Sequence, residues 1–86
     1  MRIARTARFK KAWEQLTTEE KALARKAITN LSVNLRYPAL RVKKIKGTES
    51  IWEARGSLSL RITFQIEGNT IILRNIGRHD QTLGSP

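Results

Sequence analysis

Along the first third of the chain, apolar residues recur with a helical period. Phe9, Ala12, Trp13 and Leu16 stand at i, i+3, i+4 and i+7, and Thr6 precedes them in a capping position. The spacing predicts a first helix behind a short opening strand around Arg2 to Arg5. Thr17-Thr18-Glu19-Glu20 then reads as a capping box with two acids in the first turn, and Ala24, Ala27, Ile28, Leu31 and Leu35 follow on one face. This second helix is expected to stop before Tyr37-Pro38, because a residue preceding proline is pushed out of the α region. A short join folds the pair into an antiparallel helical hairpin.

From Leu40 the period changes to two. Leu58, Leu60, Ile62, Phe64 and Ile66 alternate with Ser59, Arg61, Thr63, Gln65 and Glu67, which predicts a strand with one buried and one solvated face. Gly68-Asn69 suits a tight turn, and Thr70 to Ile76 returns as the partner strand. With Glu67 opposite Thr70, Thr63 faces Arg74 and Arg61 faces Ile76. That register puts Arg61, Arg74 and, if the strand continues, Arg78 together on the polar face. Ile51 to Arg55 and roughly Arg41 to Lys46 supply two more strands. The order β-α-α-β-β-β-β describes one α+β domain over residues 1–86. Its opening strand and helical hairpin are expected on one face of a mainly antiparallel sheet of four to five strands.

Composition narrows the functional classes. A chain of 86 residues has room for one modest core. The absence of cysteine excludes disulfides, thiolate metal sites and a cysteine nucleophile, and weakly favours a cytoplasmic setting. The charged N-terminal segment lacks the apolar stretch of a signal peptide, and no run is long enough to span a bilayer, so neither export by a signal peptide nor a membrane span is expected. With 17 Lys and Arg against 7 Asp and Glu, the net charge is +10 and the surface must attract polyanions: nucleic acid, an acidic protein or an anionic membrane surface.

Candidate chemistry lies in the strand region. Arg41-Val42-Lys43-Lys44-Ile45-Lys46 is either a phosphate-binding edge or an edge strand blunted by lysines against aggregation. Arg55, Arg61, Arg74 and Arg78 make either a guanidinium face for a phosphodiester or an ordinary solvated face. Glu53, in phase with Arg55, is a candidate general base or a structural partner of an arginine. His79, the only histidine, is a candidate proton shuttle that Asp80 can orient, or a surface residue. Trp13 and Trp52 either stack on bases or, as their phases favour, pack in the core. No P-loop, dinucleotide fingerprint or metal-ligand spacing is present, which leaves acid/base chemistry without metal or cofactor, or binding alone.

Taken together, Ile51-Trp52-Glu53-Ala54-Arg55, Leu60-Arg61-Ile62-Thr63-Phe64 and Ile71 through Asp80 resemble the RelE/ParE superfamily of toxin–antitoxin toxins. The order of elements carries the resemblance over almost the whole chain. The ending Gly77-x-His79-x-x-x-Leu83 is most similar to YafQ-like mRNA interferases. The resemblance implies a RelE-like fold and a ribosome-dependent mRNA endoribonuclease of a type II system, with metal-independent acid/base cleavage. Its implied partners are a cognate acidic antitoxin, the ribosome and mRNA, with a toxin–antitoxin hetero-oligomer on operator DNA, and it implies no membrane partner. It makes His79 the leading acid/base group, Arg61 the leading charge stabiliser and Glu53 a second acid/base group. It assigns Lys43, Lys44, Lys46, Arg55, Arg74 and Arg78 to RNA and phosphate contact. The chain departs from the family in having no tyrosine after Tyr37 and in carrying Leu83 where the YafQ pattern prefers phenylalanine. A ParE-like DNA gyrase poison and a non-catalytic basic module that binds RNA or protein are the alternative readings.

Overall fold

The computed structural model describes all 86 residues. The opening strand β1 (Arg2–Arg5) is followed by helices α1 (Ala7–Glu14) and α2 (Thr18–Val33). Strands β2 (Lys43–Lys44), β3 (Trp52–Arg55), β4 (Leu60–Glu67) and β5 (Thr70–Arg78) come next, and helix α3 (His79–Gly84) closes the chain. The sheet order is β1-β5-β4-β3-β2, antiparallel throughout except for the parallel β1–β5 pair. The expected α+β architecture is therefore present, with all five strands in one sheet.

Local chemistry starts both helices where the sequence places them. The Thr6 hydroxyl accepts from the Phe9 N–H at 3.1 Å and donates to the Leu73 carbonyl at 3.0 Å, so one side chain caps α1 and ties it to β5. At α2 the Thr17 hydroxyl accepts from the Glu20 N–H at 3.1 Å, while the Glu20 carboxylate accepts from the Thr17 N–H at 2.9 Å. Phe9 from α1 and Ala24, Ala27, Ile28 and Leu31 from α2 bury against Ala54, Leu60, Ile62, Phe64, Ile71, Leu73 and Ile76. That apolar layer is the core, and removing it from water is the main drive to fold.

Several boundaries differ from expectation. The second helix stops before Tyr37-Pro38 as expected, but already at Val33, so that Leu35 lies outside it, and a 3₁₀ turn over Pro38–Leu40 follows. The expected basic strand over residues 41–46 contracts to Lys43–Lys44. Arg41 holds a left-handed backbone at φ 45°, and after Ile45 the chain turns away, held by the Thr48 hydroxyl donating to the Ile45 carbonyl at 2.7 Å. Leu58 lies outside β4 and is exposed.

The largest differences concern the polar face of β4 and β5. From Glu67↔Thr70 to Phe64↔Leu73 the expected register holds, but a bulge then leaves Arg74 without a partner. Thr63 pairs with Asn75 and Arg61 with Gly77, in place of Arg74 and Ile76. One inserted residue reverses the facing of everything beyond it, so Arg78 leaves the polar face. Nor is that face open. Helix α3 and the residues after it lie across it: the Thr63 hydroxyl donates to the Pro86 carbonyl at 3.0 Å and Asn75 Nδ2 to the Ser85 carbonyl at 2.9 Å. Thr63 is buried there, and Arg61 is buried too, its guanidinium folded back on the β3–β4 connection.

Gly77 makes this covering fit. A Cβ at that position would stand 2.8 Å from Thr82 Oγ1, and Thr82 is buried with no room to retreat. Gly77→Ala is expected to lift α3 and destabilise the fold by about 1–3 kcal/mol, the usual range for overpacking. Thermal unfolding checks this, and Thr82→Ala in the Gly77→Ala background should recover part of the loss.

Candidate active site

The register builds a polar patch in two rows across the strands. Lys43, Glu53, Thr63 and Asn75 stand opposite one another in the first, and Arg55, Arg61 and Gly77 in the second. Directly opposed residues share a face, so Lys43, Glu53, Arg55 and Arg61 project to the same side, away from α1 and α2. Glu53 is only 8% exposed, and its carboxylate lies 3.7 Å from Lys43 Nζ, whose side chain is 72% exposed. With the lysine end so exposed and the contact long, the pair contributes little stability. Lys43, Lys46, Glu53 and, from α3, Leu83 border a depression of about 490 Å³ beside the sheet edge.

Arg61 is 6% exposed. Its Nη1 donates to the carbonyls of Ser57, Leu58 and Leu60 at 3.0, 3.2 and 3.0 Å and so holds the β3–β4 connection. No side-chain nitrogen or oxygen is sealed from solvent without a hydrogen-bond partner, so Nε and Nη2, which bond to nothing in the protein, retain some contact with solvent. Burial lowers the Arg61 pKa, repulsion from Arg55 lowers it further, and Glu53 opposes both. From so high a starting value the guanidinium stays charged in any physiological buffer. Two facing arginines with one carboxylate nearby leave the patch short of negative charge, a deficit of the kind that an anion such as a phosphodiester can fill.

His79 follows directly on β5 and is the first residue of α3, a helix that the sequence reading did not include. Its N–H donates to the Ser59 carbonyl at 3.0 Å, and its ring, 54% exposed, places Nδ1 3.1 Å from Asp80 Oδ1. A carboxylate at Nδ1 holds the proton on that nitrogen and leaves Nε2 as the basic one. Because Arg61 faces Gly77, His79 begins two residues past the Arg61 row rather than three.

The remaining candidates are placed elsewhere. Lys44 lies on the opposite face, with Nζ 5.4 Å from the Trp52 ring centre. Arg74, at the bulge, donates from Nη1 to Gln65 Oε1 at 2.6 Å and from Nε to the Pro86 carbonyl at 3.3 Å. Arg78 is exposed, outside the two rows, and forms the N-cap of α3. Pattern reading missed α3, the burial of Thr63 under the chain's end and the burial of Thr82 on the inner side of α3. The only signal was a glycine inside an otherwise well-formed strand, a mark of close approach by another segment.

Across the whole surface, Lys43 is the only one of the 17 Lys and Arg side chains with an Asp or Glu carboxylate within 4 Å. No helix is long and apolar enough to cross a membrane.

The sequence matches no family model and no curated protein. Solved structures identify the fold. The chain is similar to the toxin in the RelB–RelE antitoxin–toxin complex of Methanococcus jannaschii, at 22% identity and a TM-score of 0.77, over 96% of this chain and 99% of that one. It is similar to YafQ of Escherichia coli BL21(DE3), at 14% identity and a TM-score of 0.79, over 95% and 98%. The YoeB/ParE toxin of Agrobacterium tumefaciens matches at 14% identity and a TM-score of 0.77, over 92% and 99%. The chain has the RelE/ParE-like toxin fold.

Proposed function

We propose that this protein is the toxin of a type II toxin–antitoxin system, a ribosome-dependent endoribonuclease that cuts mRNA in the cytoplasm and is held inactive by an acidic antitoxin. The observation that carries the reading is the polar patch of Lys43, Glu53, Arg55 and Arg61 on a RelE-type fold, with His79 just beyond it. Structural likeness to toxins solved with and without antitoxins supports the partner.

The chemistry follows from what these side chains can hold and transfer. The ribose 2′-oxygen attacks the adjacent phosphorus, its proton passes to a base, and the bond to the 5′-oxygen breaks as an acid protonates that oxygen. The products are a 2′,3′-cyclic phosphate and a 5′-hydroxyl. His79 Nε2 and the Glu53 carboxylate are the two proton-transfer groups, each such transfer typically contributing 10²–10⁴-fold. Arg61, with Arg55 beside it, stabilises the charge that builds on the phosphorane oxygens. Lys43 and Lys46 hold the flanking backbone, and Arg74 and Arg78 lie outside this central group.

Induction of the chain alone in bacteria should stop protein synthesis, and purified protein should cut mRNA on ribosomes. Raising the salt from low to physiological levels should weaken ribosome binding steeply as counterions are released. Co-expression of an adjacent small acidic protein should restore growth. Loss of DNA supercoiling with mRNA intact would overturn the nuclease reading in favour of gyrase poisoning.

A further inference from the structure

Beyond the end of α2, on the face of the sheet opposite Glu53 and Arg61, lies a groove of about 470 Å³ that the proposed cleavage chemistry does not use. Tyr37 and Trp52 line it, with apolar Ile66 at its base and Arg36 and Arg41 along its length. Tyr37 is 43% exposed, and the other four aromatic residues are buried or half-buried. Lys44 adds a third cation over the Trp52 ring. None of these cations has a carboxylate within 4 Å, and no acidic residue lines the groove. Arg41 occupies a left-handed backbone position that glycine would adopt with less strain, and it brings a cation there nonetheless.

We propose that this groove is a second RNA-contact site, holding a single-stranded segment with a base stacked on Tyr37 and the neighbouring phosphates on Arg36, Arg41 and Lys44. The choice of RNA as the polymer rests on the proposed function; the site itself lies outside the catalytic patch. Aromatic faces between unpaired cations suit alternating bases and phosphates, since any base offers a π-face and each neutralised phosphate releases counterions. An acidic peptide would use the cations and leave the exposed ring idle.

The test is fluorescence anisotropy of a short labelled oligouridylate with the full chain, over a range of salt. Tyr37→Ala should weaken binding by about tenfold, and Tyr37→Phe should retain it. Arg36→Gln and Arg41→Gly should each reduce the slope of affinity against salt by about one, the glycine also relaxing the backbone so that folding is preserved. Wild-type affinity in Tyr37→Ala would overturn the proposal, as would displacement of the oligonucleotide by poly-glutamate at equal charge. A protein that binds through Tyr37 but never cuts mRNA would sink the nuclease reading and leave this site standing; one that cuts mRNA with Tyr37→Ala binding normally would sink this site alone.

Discussion

His79→Ala should lower ribosome-dependent mRNA cleavage by about 10²–10⁴-fold and leave thermal unfolding unchanged. The two readouts separate because the ring does no structural work. It is more than half exposed, and its one polar side-chain contact is to the exposed carboxylate of Asp80. The bond from residue 79 to the Ser59 carbonyl is made by the backbone and survives any non-proline substitution. Asp80→Asn should give a smaller loss, because it weakens the hold on Nδ1 without removing the basic nitrogen. Cutting at the wild-type rate by folded His79→Ala would show that the proton shuttle lies elsewhere, with Glu53 the next candidate.

Arg61→Ala should abolish cleavage and also destabilise the fold by about 2–3 kcal/mol, near the range for lost hydrogen bonds from a charged donor. In a domain of this size that lowers the melting temperature by roughly 10 °C or more. From its polar position in the alternating strand, Arg61 reads as a surface residue whose loss spares the fold. The structure corrects that reading, since the side chain is buried and its Nη1 satisfies the carbonyls of Ser57, Leu58 and Leu60. Relief of the repulsion from Arg55 acts in the opposite direction. Arg55 is partly exposed, so solvent screens that repulsion and the lost hydrogen bonds outweigh it. Arg61→Lys separates the effects: it keeps a charge and some of the hold on the loop, but loses the planar fork, so it should melt between the other two proteins and still fail to cut. Wild-type unfolding and cutting by Arg61→Ala would contradict both assignments.

The helices were legible because short-range chemistry specifies them. Thr6 and Thr17 cap groups three residues away, and the apolar stripe of α2 needs only a 3.6-residue period to face a core. The β4–β5 hairpin was legible near its turn for the same reason, and Glu67↔Thr70 through Phe64↔Leu73 follow from the two-residue loop. Lys43, Glu53, Arg55 and Arg61 fall on one face because strand alternation puts them there. Lys44 and Trp52 fall on the other by the same rule.

Beyond Phe64 the outcome depended on partners far along the chain. Nothing around Arg74 marks a bulge, yet that one extra residue moves Arg61 from Ile76 to Gly77 and carries Arg78 to the other face. Arg74 sits at the bulge because its guanidinium reaches both Gln65 and the Pro86 carbonyl, nine and twelve residues away. Helix α3 spans only 6 residues, too few to show a period, and it forms where Gly77 leaves space for Thr82 and Thr63 bonds to Pro86 across 23 residues. Periodicity therefore specified which residues share a face of the sheet only as far as the bulge. Long-range packing alone decided that the chain's end covers Thr63 and that His79 begins a helix at the margin of this face.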